Sequence, residues 1–341
     1  MSVLPGASVA TPATVAAGGP SCLACGGATS SVLSDLFDTR FGVPGSYEIR
    51  ICGECELEQI HPRLSPEDLA GVYEAYYNFR GVRDSGYAAF REWFLGSALY
   101  RLWMAIDGDI AFHANKGRGA LLDLGCNEGR GLVFFRKNGF DAEGVEINSR
   151  AADIARSKGF RVFSQLPPAN PLASESGCTY DVVVLSNVLE HSLDPVAMMA
   201  HVNGLLKEHG EVWISCPNAE SWARAAFGRF WINWHPPFHI VHFSQRTLAN
   251  LLRTNGFEIR KLKFATPSLW IAQSIVSALW SKRGQSNRFM RRAFLVASLM
   301  MLIRTLLFPI LWFANFRERG DCMLVFAVKS TAVSYFDRKN A

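Results

Sequence analysis

A glycine-rich turn, GCNEGRG at residues 125–131, directly follows an apolar run and has the form of a nucleotide-binding loop. Glu146 comes twenty-one residues after the first glycine, where a carboxylate can accept hydrogen bonds from both ribose hydroxyls. A dinucleotide loop would need glycine in place of Asn127 and Arg130. Because a pyrophosphate needs close backbone approach, these two residues disfavour NAD and favour a nucleoside cofactor without phosphates, such as S-adenosylmethionine. The alternative to a cofactor site is that residues 125–131 form only a tight turn and that Glu146 is a solvated acid at the end of a strand.

A second stretch, YDVVVLSNVLEHSLDP at residues 180–195, distinguishes between these cofactors. Together with LLDLGCNEGRG, GVEIN and PPFHIVHFSQRTLANLLRTNGF, it resembles the class I S-adenosylmethionine-dependent methyltransferases, in particular the branch that modifies small molecules and glycans. These segments follow the order of that fold and span roughly 140 residues. The resemblance implies methyl transfer to a sugar, a glycan or a related small molecule, which could be lipid-linked.

The resemblance also implies roles for residues at the carboxyl ends of the strands. Those that would line the methionine end of the cofactor are Asp123, Gly125, Cys126, Asn127 and Gly129. Glu146 would bind the ribose, Ile147 would pack on the adenine, and Ser186 and Asn187 would lie near the mouth of the fourth strand. The family more often has glycine in place of Asn127. Asparagine tolerates left-handed backbone better than most residues, so we expect the turn to form.

Three histidines are candidates for the general base that would remove a proton from the acceptor. His191 follows the fourth strand and is the first candidate, whereas His239 and His242 lie in an aromatic segment, residues 231–243, predicted to form a wall of the acceptor site. For each of them a purely structural histidine, bonded to backbone, is an equal alternative. Tyrosines that could close over this site, or simply pack, are Tyr73, Tyr76 and Tyr77.

Four cysteines form two C-x2-C pairs separated by 26 residues: Cys22, Cys25, Cys52 and Cys55. Four thiolates at two paired turns predict a closed, tetrahedral structural zinc site, with free or redox-active thiols as the alternative. This ribbon and the following SPEDLAGVYEAYY also resemble the N-terminal part of glycan methyltransferases, where it caps the cleft. The remaining cysteines are predicted to pack as small apolar residues: Cys126, Cys178, Cys216 and Cys322.

The elements that must position these residues are predicted from local signals. Helical runs end in Gly-Phe at Gly139, Gly159 and Gly256 and are followed by strand-like runs, which indicates βα units of a doubly wound α/β sheet. Asp194-Pro195 predicts a helix start, and Gly210 predicts the end of that helix before a strand at 211–216. The predicted organisation is a disordered leader at 1–20, a zinc ribbon at 21–62, a helical connector at 63–116, a Rossmann-like methyltransferase domain at 117–264, a helical insertion at 265–320 and a last strand and tail at 321–341.

The predicted insertion is apolar and strongly basic. Residues 282–319 contain eight Lys or Arg and one acid, a local charge of +7. Its apolar run is long enough to span a bilayer, but Arg304 and Pro309 interrupt it, and a single crossing would separate the strand-like run 321–329 from the domain. We therefore expect two or more amphipathic helices on the domain or on an anionic membrane surface. Burial within the protein or in an interface of a homo-oligomer is the alternative.

Composition limits the functions and cellular locations that remain possible for the chain. The net charge of +5 in 341 residues is too small and too dispersed for a nucleic-acid-binding protein. The first twenty residues contain no Lys or Arg and lack the unbroken apolar core of a signal peptide, and the cysteine usage fits a reducing compartment, so the cytoplasm is expected, with peripheral membrane attachment where the insertion binds lipid. Two rival functions remain: an NAD-dependent oxidoreductase, and a non-catalytic zinc-ribbon scaffold with a vestigial cofactor fold.

Overall fold

Two β-sheets organise the described part of the chain, which comprises residues 20–76, 93–94, 96–167 and 180–330 of the computed structural model. The predicted leader up to residue 19, Tyr77 and Cys178 lie outside these residues. In chain order the strands are β1 (Thr29–Leu36), β2 (Tyr47–Cys52), β3 (Glu58–His61), β4 (Gly119–Leu124), β5 (Phe140–Val145), β6 (Val162–Phe163), β7 (Tyr180–Ser186), β8 (Leu206–Pro217), β9 (Val241–His242), β10 (Phe257–Ala265) and β11 (Cys322–Lys329).

The helices of the described residues flank these strands. They are α1 (Pro66–Tyr76), α2 (Ala98–Asp107), α3 (Arg130–Lys137), α4 (Ser149–Ser157), α5 (Pro195–Leu205), α6 (Trp222–Phe227), α7 (Gln245–Thr254), α8 (Ser268–Trp280), α9 (Ala293–Leu306) and α10 (Phe308–Phe316). Single 3₁₀ turns occur at Leu189–His191, Gly228–Phe230, Ile232–Trp234 and Arg288–Arg291.

The main sheet has the order β10-β11-β8-β7-β4-β5-β6. Strand β4 pairs in parallel with both β5 and β7, and β11 lies antiparallel between β8 and β10. The predicted doubly wound sheet, with a helical insertion before an antiparallel last strand, is confirmed. Successive crossovers run in opposite directions from β4, so the crevice for a ligand lies at the carboxyl ends of β4 and β7.

The residues that predicted helix ends and starts have the backbone conformations and hydrogen bonds expected of helix caps. Gly139, Gly159 and Gly256 have φ values of 106°, 78° and 79°, in the left-handed region that glycine adopts without strain. The side chain of Asp194 accepts a hydrogen bond from the N–H of Ala197, and Pro195 occupies the first helical turn of α5. These caps confirm the predicted alternation of helices and strands.

The predicted end of α5 at Gly210 is wrong. The helix ends at Leu205, and β8 begins at Leu206, which pairs with Tyr180 of β7. The ammonium of Lys329 donates hydrogen bonds of 2.8 and 2.9 Å to the carbonyls of Asn203 and Leu206. This distant lysine thus satisfies carbonyls at the helix terminus, which lies five residues before the glycine that suggested the end of the helix.

The N-terminal sheet has the order β1-β2-β3-β9, so a strand of the methyltransferase-like domain completes the cysteine-containing ribbon. One hydrophobic cluster extends through both sheets and the insertion: it contains Ile49 of the ribbon, Val183 of β7 and Ile303 of α9. The three parts therefore share a core, and the ribbon is held against residues 231–243 by buried apolar surface.

The insertion consists of α8, α9 and α10. Within the described residues no single helix is long and apolar enough to cross a membrane, and the pair α9 and α10, which passes that test together, is bent by 73°. Arg304, which interrupts the apolar run of α9, is buried and lies 2.8 Å from a carboxylate oxygen of Asp107 at the end of α2. That ion pair ties the insertion to the connector.

Candidate functional site

The turns after β4 and β7 meet at the crevice of the main sheet. A Cβ on Gly125 would lie 3.0 Å from Cγ2 of Val188, so the two turns are in direct contact. The N–H groups of Gly125 and Cys126 donate to the carbonyl of Val145, at the end of β5, over 2.8 and 3.0 Å. The glycine turn therefore lies between the ends of β5 and β7, beside the segment that contains Glu190 and His191.

Glu146 binds the glycine turn directly. One carboxylate oxygen accepts a hydrogen bond of 2.9 Å from the N–H of Asn127, and the other accepts one of 2.7 Å from the N–H of Asn148. Asn127 has a φ of 53°, and its side-chain oxygen accepts from the N–H of Glu128, so asparagine supports the left-handed turn as expected. The acid and the turn thus form one rigid unit at the edge where a ribose would bind.

Asp123 lies at the end of β4 beneath this unit. Burial, together with the neighbouring Glu146 carboxylate, raises the pKa of Asp123 to about 7. A Cβ on Gly131 would lie 2.8 Å from Oδ2 of Asp123, so the first turn of α3 approaches this carboxyl only because residue 131 lacks a side chain. The N-terminus of α3 therefore points towards the crevice, where its unpaired N–H groups favour electron-rich ligand groups.

The remaining predicted cofactor residues occupy different environments. Gly129 has a φ of 73° and precedes the first residue of α3, and Ile147 is 76 % exposed at the crevice edge. The side chain of Cys126 is buried, and its sulfur occupies the space that a Cβ on Gly144 would need. The side chain of Cys126 therefore packs in the core, so that this residue can contribute only backbone to a cofactor site.

Ser186 and Asn187 follow β7 at the crevice. The hydroxyl of Ser186 donates to the carbonyl of Ile110 over 3.0 Å, which fastens the end of the connector across the strand. Asn187 has a φ of 54°, and its N–H donates to the carbonyl of Ser215. Ser186 thus has a structural contact, whereas the side-chain oxygen of Asn187 is buried without a hydrogen-bond donor among the described residues.

Two of the three predicted catalytic histidines lie together. The ring centroids of His191 and His239 are 4.7 Å apart, and the hydroxyl of Tyr73 lies 2.8 Å from Nδ1 of His191. The connector helix α1 therefore reaches the site, as a covering role for Tyr73 requires. His242 lies beyond His239 and packs its ring against Trp234.

Electrostatics make these histidines poor bases. Burial lowers the pKa of His191 to about 4 and that of His242 to about 3, and burial lowers the pKa of His239 well below its usual range. All three are neutral near pH 7, and the low proton affinity weakens a general-base role. Burial raises the pKa of the adjacent Glu190 to about 8.

Sequence reasoning missed two groups at the site. Glu190 has a fully buried side chain beside His191, and the sequence pattern around it does not mark it as a ligand or a base. His113 lies in the connector, where its Nδ1 is 2.8 Å from the hydroxyl of Tyr100 and its ring stacks on Phe134 of α3 at 4.4 Å. No motif surrounds His113, so only the fold places it beside the glycine turn.

The four sulfur atoms predicted as zinc ligands all lie within 4.8 Å of one another: those of Cys22, Cys25, Cys52 and Cys55. Two of the sulfur pairs are 3.4 Å apart, too far for a disulfide and close to the roughly 3.8 Å that tetrahedral zinc thiolates require. The N–H groups of Ala24 and Glu54 point at two of these sulfurs over 3.4 Å. The donor set fits zinc. Of the other cysteines, Cys126, Cys216 and Cys322 are buried.

The ribbon is fastened to the segment that carries His239 and His242. The guanidinium of Arg224 lies 2.9 Å from the carboxylate of Glu58 on β3, and the N–H of Ile60 donates to the carbonyl of Ile240. Because β9 belongs to the ribbon sheet and directly follows the segment that contains His239, loss of ribbon structure would disturb that segment.

Comparison with known proteins gives a match over residues 90–262, just over half of the chain, to the family described as "Methyltransferase domain". The ubiquinone biosynthesis O-methyltransferase of Bordetella avium is 30% identical over 102 residues, 29% of this chain and 42% of that protein. The corresponding protein of Nitrosospira multiformis is 30% identical over 115 residues, 33% of this chain and 48% of that protein. The chain thus matches less than half the length of these curated relatives.

Solved structures with a similar fold include the 1,6-didemethyltoxoflavin-N1-methyltransferase of Burkholderia thailandensis, at 16% identity and a TM-score of 0.41, over 84% of this chain and 97% of that one. A possible histamine N-methyltransferase of Thermotoga maritima is 18% identical, with a TM-score of 0.41, over 70% of this chain and 98% of that one.

Proposed function

Since the chain belongs to the methyltransferase-domain family, we propose that it transfers a methyl group from S-adenosylmethionine to a hydroxyl group of a sugar, a glycan or a related small molecule. The hydroxyl is favoured because the curated relatives are named O-methyltransferases. The preference for a sugar or glycan comes from the resemblance of the VLEHSLDP turn and the ribbon to enzymes of that branch.

One observation carries the proposal: the Glu146 carboxylate, the left-handed turn at Asn127 and the N-terminus of α3 converge at the carboxyl end of β4. A carboxylate at this position suits the two ribose hydroxyls, and exposed Ile147 offers an apolar surface for adenine. S-adenosylmethionine, when bound, supplies an electrophilic methyl group. The protein's task is to orient the acceptor oxygen in line with it.

Calorimetric titration separates the proposed function from its two rivals. We expect S-adenosylmethionine to bind and NAD not to bind, because Asn127 and Arg130 occupy glycine positions of the dinucleotide loop. Incubation with methyl-labelled cofactor and cell extract, separated into lipid, glycan, protein and small-molecule fractions, then identifies the acceptor class. Label in the protein fraction only would overturn the proposed acceptor. Cofactor binding without label in any fraction would favour the scaffold.

The ribbon is proposed to hold one structural zinc ion. Its four thiols form a closed set with no position left for a substrate, which is typical of structural rather than catalytic zinc. Since β9 completes the ribbon sheet, zinc would stabilise the segment that forms the acceptor wall.

The insertion is proposed to bind an anionic membrane surface. Apolar side chains of α9 and α10 point into solvent, with Phe294 90 %, Leu306 68 % and Phe316 70 % exposed. Exposed arginines at the ends of the two helices are Arg288, Arg291, Arg292, Arg317 and Arg319. Apolar side chains flanked by basic ones suit the boundary between acyl chains and anionic headgroups, and such contact would present a lipid-linked acceptor.

Vesicle co-sedimentation tests the membrane proposal. We expect the protein to pellet with vesicles containing phosphatidylglycerol and phosphatidylcholine, and less with phosphatidylcholine alone. The double variant Phe294→Ser, Phe316→Ser should lose most of this binding, whereas Val32→Ser, which changes an exposed apolar side chain of the ribbon, should not. Absence of the wild-type protein from the pellet with the anionic vesicles would overturn the proposal.

A further inference from the structure

A second group of metal-binding side chains lies in the turn after β7, away from the four cysteines. One ligand atom from each of Glu190, His191 and His239 lies within 4.8 Å of the other two. Glu190 and His239 are buried, and His191 is partly buried. Two imidazoles and one carboxylate at this spacing can reach a single ion.

The carboxylate of Glu190 is the first sign that the group is incomplete as it stands. Its side chain is 1 % exposed, and neither of its oxygens has a hydrogen-bond donor among the described residues. The backbone carbonyl of the same residue is satisfied by the N–H of Ile240 at 2.7 Å. A buried carboxyl group without a hydrogen-bond partner is unfavourable whether it is protonated or ionised, and a bound cation would remove that cost.

The two imidazoles are oriented as metal ligands usually are. Nδ1 of His191 lies 2.9 Å from the carbonyl oxygen of Phe238, and Nδ1 of His239 lies 2.7 Å from that of Asn233. A carbonyl only accepts hydrogen bonds, so each Nδ1 carries the proton and each Nε2 keeps its lone pair. Backbone carbonyls fix the tautomer and the ring orientation of metal-bound histidines in this way.

We propose that Glu190, His191 and His239 bind one divalent transition-metal ion through a carboxylate oxygen and two Nε2 atoms. Two histidines and one carboxylate leave coordination positions open, as in catalytic zinc and non-haem iron sites. The ion would be separate from the zinc of the ribbon, whose ligands are thiolates.

The place of this site in the fold gives the ion a role, which rests on the proposed function. Val188 is two residues before Glu190, and its side chain touches the turn at Gly125. An acceptor hydroxyl on the open position of the metal would therefore lie beside the cofactor turn. The metal lowers the pKa of this hydroxyl and its proton passes to water. The oxygen then forms a bond to the methyl carbon, while the electron pair of the breaking carbon–sulfur bond returns to sulfur, leaving a methyl ether and a thioether.

Cobalt spectroscopy tests the site on the full-length protein that carries one zinc ion per chain, in the four-thiolate ribbon, because Co²⁺ mimics zinc and its spectrum depends on the ligand atoms. We expect saturable d–d bands for one Co²⁺ per chain, without the charge-transfer bands of thiolate ligands. Glu190→Gln and His239→Gln should each weaken Co²⁺ binding by about tenfold or more. His209→Gln, which changes an exposed histidine of β8, is the matched control and should leave it unchanged.

Two results would overturn the metal site: no saturable bands in the wild-type protein, or equal bands in Glu190→Gln and in the control. A cooperative thermal transition identifies variants that are folded, and His239→Gln serves as the second probe if Glu190→Gln is not. Calorimetry with S-adenosylmethionine on the same samples keeps the two proposals apart. Cofactor binding without cobalt bands would reject the metal site only, and cobalt bands without cofactor binding would reject the proposed function only.

Discussion

The carboxylate of Glu146 accepts a hydrogen bond of 2.9 Å from the backbone N–H of Asn127. The acid thus holds the glycine turn in its left-handed form as well as facing the crevice. A cofactor that binds both groups meets a site that is already organised, which reduces the entropy lost on binding.

Replacement of Glu146 by alanine should weaken S-adenosylmethionine binding about tenfold to a hundredfold. The change removes charge-assisted hydrogen bonds to the ribose, worth about 1.5–3 kcal/mol, and releases the turn at Asn127. Isothermal titration calorimetry measures the loss. Glu208→Ala, on the exposed part of β8, is the control. Equal affinity in both variants would show that the acid does not contact the cofactor.

Replacement of His191 by alanine should reduce turnover about a hundredfold while the affinity for S-adenosylmethionine stays the same. The change removes one of the three side chains proposed to bind a metal ion, the role that remains for a histidine whose low pKa makes it a poor base. Single-turnover methyl transfer and calorimetry provide the two readouts. Unchanged turnover would exclude His191 from the chemistry, and loss of cofactor affinity would indicate a structural role.

Replacement of Arg304 by alanine should lower the free energy of unfolding by about 3–5 kcal/mol. The change leaves the Asp107 carboxylate buried without its partner, and an uncompensated buried charge is much more costly than the pair. Urea denaturation followed by circular dichroism measures the change. Arg260→Ala breaks an exposed pair with Glu258 and should cost about 1 kcal/mol or less. Similar losses in the two variants would contradict the importance of burial.

Protonation of His113 should destabilise the protein in mild acid. Burial, with a smaller effect of Arg130, lowers the pKa of His113 to about 4 from the ordinary 6.5. Below pH 6.5 the unfolded chain therefore binds a proton that the folded chain does not. Stability is lost as the pH falls from about 6.5 to about 4, at roughly 1.4 kcal/mol per unit of pKa difference.

His113→Phe isolates this contribution, because phenylalanine can keep the stacking on Phe134 but does not titrate. The wild-type protein should lose more stability than the variant between pH 6.5 and 4, measured by urea unfolding at each pH. The other buried histidines contribute equally to both proteins. Parallel pH profiles would show that His113 is not protonated on unfolding.

Removal of the ribbon zinc should destabilise the acceptor wall as well as the ribbon. Cys52→Ser deletes one of four thiolates and should lower the zinc content by about one ion per chain relative to the wild-type protein, with a lower melting temperature. Elemental analysis and calorimetry measure both. Cys216→Ala, a buried cysteine of β8 outside the cluster, should retain zinc. Full zinc content in Cys52→Ser would reject the four-thiolate site.

Much of the architecture followed from residues whose chemistry is local. Gly139, Gly159 and Gly256 predict helix ends because only glycine enters the left-handed region without cost, and Asp194-Pro195 predicts a helix start for equally local reasons. Cysteine spacing predicts the ribbon ligands, since the two short knuckles already hold each pair together.

Contacts between distant segments had to come from the tertiary structure. Helix α5 ends at Leu205, although Gly210 suggested a later end: Leu206 pairs with Tyr180, and Lys329, over a hundred residues away, donates to carbonyls at the helix terminus. His113 lies beside the glycine turn because its ring stacks on Phe134, and Glu190 lies close to His239. No local sequence pattern predicts either contact. The sequence by itself determined the cofactor turn, the alternation of helices and strands around it and the pairing of the ribbon cysteines into two knuckles, because these depend on short-range backbone geometry. Only the tertiary structure determined which buried charged groups and imidazoles lie in contact, because side chains distant in sequence lose their water and approach one another only when the chain folds.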